Sequence, residues 1–321
     1  MNKDIDTVIS TRVRFARNLK DYPFTSRLDP TSCKEIIEKT EGVLKGFEKI
    51  DFTDMDPVTA TSYAERHVVS SEFSNSKLPR ALLEKGDTRV MVCEEDHIRL
   101  QVIKQGFVLD EAYAEACSTD DKLLSELRIA YDEHLGFLTH CPTNLGNGMR
   151  ASVMMFLPGL AMTGELKAII SQLPKLGLTI RGMYGEGSRS GGFIYQISNA
   201  ESLGSSEENI LCKLKDTVTQ IIIRERLARD RIKSSGETAY DPLSRAYGIL
   251  KYAYSVTSEE FIDLYARVRL GVYLGIIEGV SYEALDELFC SVMPCTLSMG
   301  EQLSPAERDI KRAQIIKTVL G

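Results

Sequence analysis

A chain of 321 residues, 43% of them hydrophobic and 26% charged, has the ordinary composition of a globular protein and the length for one large domain, or a domain with a smaller companion. Its formal net charge of −7 excludes the global basic field of a nucleic-acid-binding protein. Seven cysteines, odd in number and without a CxxC pair, argue against a disulfide framework or a zinc ribbon, and no apolar run approaches the roughly 18 residues that span a bilayer, so the sequence reads as a cytoplasmic protein with reduced thiols and no membrane attachment.

In chain order, "DTVISTRVRF" alternates with period two: Ile9, Thr11, Val13 and Phe15 fall on one face, Ser10, Arg12 and Arg14 on the other. Ser32 followed by Glu35 reads as a capping box that starts a helix with Ile36, Val43, Leu44 and Phe47 on its apolar stripe. "TRVMVCEEDHIRLQVI" predicts two short strands around an acidic turn. A helix is expected from about Asp110 to His134, then strand-like "GFLTHC", the turn-rich "CPTNLGNGMRAS", strand-like "RASVMMFL", a helix over "GELKAIISQL", and strands at "LTIRG" and "FIYQIS". Strands interleaved with a few helices suggest a mixed sheet. Ser205 with Glu208 caps a long amphipathic helix carrying Leu211, Leu214, Val218 and Ile221 to about Ile232, and "KSSGET" reads as a linker. Beyond it the pattern is helical only, with starts at Thr257, Ser281 and Ser304-Pro305, so the chain divides near residue 235.

The chemistry-bearing residues are arginines set among strand residues and turns: Arg12, Arg14, Arg99, Arg150 and Arg181. An uncompensated buried guanidinium costs several kcal/mol, so each needs a partner. One such arginine is readily a rim salt bridge; five point to a polyphosphate, whose oxygens match planar guanidinium forks. Glu95 in the acidic turn and Glu186 in "YGEGS" supply the opposite sign, either as solvated turn residues or as carboxylates for a cationic acceptor. A P-loop, the protein-kinase motifs and a tight histidine metal pattern are all missing.

The segments "STRVRFARNLKDYPF", "EEDHIRLQ", "GFLTHCPTNLGNGMRASV" and "IRGMYGEGS…GGFIYQISN" resemble, in order and spacing, the phosphagen (guanidino) kinase family. "SRAYGIL", "VRLGVYLGII" and "ERDIKRAQII" are similar to the C-terminal domain of its bacterial protein-arginine-kinase (McsB) branch. The resemblance implies a glutamine-synthetase-like α+β catalytic domain over residues 1–235, an antiparallel sheet flanked by helices, followed by a small all-α regulatory domain over 236–321. It further implies that Ser10, Arg12, Arg14, Arg99, Arg150 and Arg181 bind the phosphates of ATP with Mg²⁺ bridging them, that Glu95 and Glu186 hold the acceptor guanidinium, and that Cys141 positions it. Arg308, Asp309 and Arg312 of the "RDIKRA" motif are implied to bind phosphoarginine; on residue types alone they read as a solvated helix face. Implied partners are proteins with exposed arginine, a McsA-like activator, the Clp protease machinery that clears marked clients, and a second copy of the chain.

Three activities remain open at this point: phosphorylation of arginine in proteins, phosphorylation of a free guanidino compound, and a weakly catalytic phosphoarginine-binding regulator. Three departures from the family pattern bear on the acceptor, one of them the lack, in "ERHVVSS" around His67, of the proline usual in the McsB branch. Cys93 stands where the family commonly has asparagine, and Arg189 where the McsB branch often has an acidic residue.

Overall fold

A computed structural model describes residues 4–183, 191–200 and 202–321. The alternation from Val8 produces β1 (Val8–Arg17). Asp29 and Pro30 then open α1 (Pro30–Val43), with the Asp29 carboxylate accepting from the amides of Thr31 and Ser32. The helix therefore begins one turn before the Ser32/Glu35 pattern, because proline at the first helical position behind an aspartate is the stronger start signal. β2 (Glu48–Asp51), α2 (Pro57–Glu65), α3 (Ser71–Asn75) and β3 (Ala81–Lys85) follow. The expected pair flanking the acidic turn is β4 (Thr88–Val92) and β5 (Ile98–Gln105).

The next helix, α4 (Leu109–Glu126), stops well short of His134. Its continuation is extended, pairing Leu19 with Ile129 and forming a two-residue hairpin of β6 (Tyr131–Asp132) and β7 (Gly136–Phe137). Then come β8 (Met149–Phe156), α5 (Pro158–Met162), α6 (Leu166–Gln172), β9 (Leu178–Gly182), β10 (Ile194–Asn199) and the long α7 (Glu207–Ser234), whose cap is Ser206 rather than Ser205. After residue 235 the long elements are helical: α8 (Asp241–Tyr252), α9 (Ser258–Tyr273), α10 (Tyr282–Ser291), α11 (Pro294–Leu297) and α12 (Pro305–Leu320). Thr257, Ser281 and Ser304 are the caps of α9, α10 and α12, the last with a reciprocal Ser304–Glu307 capping box.

Eight strands form one sheet in the order β2-β3-β4-β5-β1-β8-β10-β9. Every neighbouring pair is antiparallel, so the mixed sheet suggested by the element pattern gives way to the antiparallel one implied by the resemblance. One face carries Val13, Phe15, Val90, Leu100, Ala151, Val153 and Ile197, packed under α1, α4 and α7 as the main core. Ile9 does not join this face: the register slips between Val8 and Ser10, and its side chain packs with the C-terminal helices.

The opposite face is apolar only at its flanks. Leu82 and Met91 pack with Phe52, Ala60 and Phe73 beneath α2 and α3. Met154, Phe156 and Ile194 pack with α8–α12. The cationic residues lie on the stretch between these two patches.

The helical C-terminal segment is tied to the sheet by polar contacts as well. The Glu65 carboxylate at the end of α2 accepts from the amides of Cys295 (2.9 Å) and Thr296 (2.8 Å). Buried Arg269 donates to the Ile5 carbonyl (2.9 Å) and pairs with Asp286.

Candidate functional site

Strand register assembles the site. Arg14 on β1 lies opposite Gln101 of β5 on one side and opposite Arg150 of β8 on the other, while Ala16 faces Arg99. Residues directly opposite on one face sit with Cβ atoms about 4.5–5.5 Å apart, and like charges so placed repel. The sheet thus brings Arg14, Arg99 and Arg150 together, with Arg12 two residues along β1 and Ser10, half-buried, two further. Arg181, on β9, is exposed and opposite Gln196 of β10.

Among the described residues the five arginines have one carboxylate partner: Glu94, which pairs with Arg99 at 2.5 Å. Arg12 donates to the His67 carbonyl (3.2 Å) and Arg150 to the Ser198 hydroxyl (3.1 Å). The Nε atoms of Arg14 and Arg150 are buried and unbonded. Burial and then the neighbouring Arg99, Arg12 and Arg150 push Arg14 far below the usual guanidinium range, burial with Arg99 and Arg89 brings Arg12 down to about 10, and burial with Arg181 and Arg99 lowers Arg150. A cluster that disfavours its own protonated forms is built to receive an anion.

The acidic turn closes one end. It is held by Asp96, which accepts from the Asn18 amide (2.6 Å) and the His140 backbone (2.7 Å). Glu94 turns inward, accepting from Ser70 and Arg99; burial raises its pKa, but Arg99 and Ser70 more than offset this and keep it ionised. Glu95 turns outward at the mouth, 3.9 Å from the His140 ring, and burial together with Asp96 and Glu94 raises its pKa above the usual carboxylate range. Arg14, Glu95, Arg99, Cys141, Thr143 and Arg150 line one cavity of about 100 Å³.

The segment "CPTNLGNGMRAS" forms its far wall. Cys141 is half-buried, its Sγ 3.1 Å from the Thr143 hydroxyl. Gly148 lets this segment press against β1: its φ is +70°, and a Cβ there would lie 2.3 Å from Arg17 Nη1 and 2.8 Å from the Ala16 carbonyl oxygen. Gly148→Ala is therefore expected to destabilise the fold by about 1–3 kcal/mol, read as a fall in Tm, and to displace Cys141 and Arg150 together. Arg17 itself is structural, buried against Asp120 at 2.6 Å and donating to the Ala16 and Asn147 carbonyls.

Sequence reasoning missed Glu94, Asp96 and Arg17. All three sit in segments it had singled out, and the available signal was position: an acidic run spanning a two-strand turn must send some side chains inward. Cys93 was expected to alter the acceptor pocket. It instead points into the core toward the Cys33 carbonyl (3.7 Å), and its backbone has φ +64°, a region asparagine tolerates best among non-glycine residues, which accounts for asparagine there without a role at the acceptor. Glu186 and Arg189 lie outside the described residues.

In the C-terminal segment, Arg308, Asp309 and Arg312 share one side of α12. Arg312 is 1% exposed, and its donors go to the carbonyls of Val292 and Val256, the Ser258 hydroxyl and the Asp309 carboxylate. Arg308 is half-buried with no ion pair among the described residues. A grip on a ligand by both arginines would require Arg312 to exchange bonds it already makes; Arg308 has its donors available.

Residues 31–228 match the family described as ATP:guanido phosphotransferase, C-terminal catalytic domain, and residues 236–321 match the protein-arginine kinase McsB C-terminal domain. The chain is 39% identical over 331 aligned positions to a protein-arginine kinase of Caldanaerobacter subterraneus subsp. tengcongensis, covering 99% of this chain and 98% of that one. It is 41% identical over 324 positions to one of Clostridium tetani, covering 98% and 95%. Among solved structures, the duplicated taurocyamine kinase from Schistosoma mansoni with bound transition state analog components superposes with a TM-score of 0.62 at 27% identity, over 68% of this chain and 33% of that one. A lombricine kinase superposes with a TM-score of 0.58 at 22% identity, over 69% and 67%, a likeness of fold.

Proposed function

Because the chain belongs to the ATP:guanido phosphotransferase family, we propose that it transfers the γ-phosphoryl group of Mg-ATP to the guanidinium of arginine side chains in proteins. The observation that carries this reading is the row of guanidinium groups facing Glu95 across one cavity, of which, among the described residues, Arg99 alone has a carboxylate partner while Arg14 and Arg150 keep a buried, unbonded Nε. Arg14, Arg99 and Arg150 take the phosphate oxygens, with Arg12, Arg181 and Ser10 at the margins. Among the described residues no cluster of three or more His, Cys, Asp or Glu is suited to hold a metal ion, so the Mg²⁺ we propose arrives carried on the nucleotide phosphates.

A guanidinium, with a pKa above about 12, has no free lone pair at neutral pH. Glu95, with Glu186 as its proposed companion, orients the acceptor nitrogen toward the γ-phosphorus and takes its proton as the N–P bond forms and the bond to the ADP oxygen breaks. The negative charge of a loose transition state spreads over the equatorial oxygens, where fixed guanidinium groups stabilise it without reorganising. Cys141 lies at the acceptor side and positions the guanidine without forming a covalent bond.

We further propose a catalytic unit over residues 1–235 and a regulatory unit over 236–321, in which Arg308 binds the phosphoryl group of phosphoarginine while the Asp309–Arg312 pair sets its place. By family resemblance the chain acts in the cytoplasm as a homodimer, with a McsA-like activator, and hands marked clients to a Clp protease. No helix among the described residues is long and apolar enough to cross a membrane.

The deciding assay incubates the chain with Mg-ATP and either a casein-like protein or free arginine, then measures acid-labile phosphate. Label on the protein is the expected result, and label on free arginine alone would overturn the proposal. Cys141→Ser is expected to retain measurable transfer; a complete loss with intact folding would give the thiol a larger role.

A further inference from the structure

We infer that a second cavity beside the phosphate slot is the groove for the polypeptide that carries the acceptor arginine, and that Glu72 on its wall favours a basic residue next to that arginine. This rests on the protein-acceptor reading and gives it a substrate preference.

The cavity has a volume of about 530 Å³ and shares Glu95 and Arg99 with the phosphate slot. A side chain whose guanidinium reaches Glu95 therefore has its own backbone here. The volume falls within the roughly 300–1,000 Å³ of ligand clefts and exceeds what the guanidinium end alone fills. Thr25 and Ser26 line it, together with Glu72, Ser76 and Leu78, which lie on α3 and just after it. Phe24, 37% exposed and next in sequence to Thr25, sits edge-on to the ring of His140, which also lines the cavity, at 5.9 Å.

Two observations distinguish this groove from a passive cleft. Thr25 is only 6% exposed, yet its hydroxyl has no hydrogen-bond partner. Buried polar groups are normally paired, and rotation of the Thr25 side chain about χ1 would turn its covered hydroxyl toward a peptide backbone, which offers a donor or an acceptor at every residue. The second observation is the charge inventory of the walls. Glu94 is committed to Arg99 and Ser70, Arg99 to Glu94, and Glu95 faces His140 and the acceptor. Glu72 is exposed and, among the described residues, has neither an ion pair nor a side-chain hydrogen bond. It is the uncommitted charge of the groove, and a lysine or arginine beside the acceptor meets it, whereas an aspartate or glutamate is repelled.

The test uses the full chain, Mg-ATP and two peptides, each with a single acceptor arginine flanked by lysine in one and by glutamate in the other. The wild type is expected to favour the lysine-flanked peptide about threefold in kcat/KM, chiefly through KM, as befits an exposed charge pair. Glu72→Gln should bring the ratio close to one and Glu72→Lys should invert it, both with an unchanged KM for Mg-ATP. Thr25→Val should raise KM for both peptides alike, and Thr25→Ser should restore it. Peptide labelling with a preference that Glu72→Lys leaves unaltered would overturn the groove while sparing the protein-acceptor reading. A wild type that labels free arginine and neither peptide would overturn both, so the two failures are told apart.

Discussion

Replacing Glu95 by glutamine is expected to lower phosphoryl transfer by about 10²–10⁴-fold, the range lost with a positioned base, while Mg-ATP binding stays near that of the wild type. Glutamine keeps the shape and the acceptor oxygen but cannot take a proton. The turn beneath it would persist, since Asp96 is bonded to Asn18 and to the His140 backbone, and the Leu19 amide donates to His97 Nδ1 (3.0 Å). On the proposed role, the same residue is expected to set the pH dependence. Burial, then Asp96 and Glu94, raise the Glu95 pKa, and the base works only when unprotonated. Activity is thus present above that raised pKa and lost as pH falls through it. The acid limb of kcat/KM for the acceptor, which reports the free enzyme, is expected above the ordinary glutamate value of about 4.3. In Glu95→Gln this limb should disappear together with most of the rate. Turnover like that of the wild type, with the limb intact, would remove Glu95 from the mechanism.

The central strand and the acidic turn were legible because both follow from period-two alternation that burial on one face enforces. Arg12, Arg14, Arg99 and Arg150 could be singled out on the same ground, and the register then placed them side by side. What alternation does not carry is which arginine already has a partner. Arg17 continues the β1 pattern, yet it is the buried, paired member because Asp120, more than a hundred residues away, reaches it from α4. Glu94 and Glu95 are adjacent and chemically alike, and only the turn geometry sends one to Arg99 and the other to the mouth. Helix ends show the same limit. Ser304, Thr257 and Ser281 were readable as caps, whereas the end of α4 at Glu126 is fixed by the pairing of Leu19 with Ile129, a tertiary contact with no local signature. In α12, spacing put Arg308 and Arg312 on one face, but Arg312 is taken by carbonyls of two other segments.

Arg14→Met should raise the Tm of the free protein by a few degrees and weaken Mg-ATP binding about 10–100-fold, the loss that follows from removing a charged hydrogen bond to phosphate. The two effects have one cause. Arg14 stands opposite Arg150 and near Arg99 and Arg12, with its Nε buried and unbonded, so the empty site carries repulsion and an unmet donor. Methionine fills similar space without charge, and replacing an unpaired, partly buried ion by a packed apolar side chain commonly stabilises. Bound polyphosphate reverses the balance: its oxygens take the donors, and the wild type gains a ligand-dependent rise in Tm that the variant should lack. Arg99→Met gives the contrast, because Arg99 is already paired with Glu94. Its removal leaves the buried Glu94 carboxylate without its cation, held by the Ser70 hydroxyl and the Glu95 amide, and should lower the Tm of the free protein while also weakening nucleotide binding. Thermal melts of both variants with and without Mg-ATP separate these cases. A destabilised Arg14→Met that still binds nucleotide normally would mean that the cluster is architecture and that the phosphates lie elsewhere.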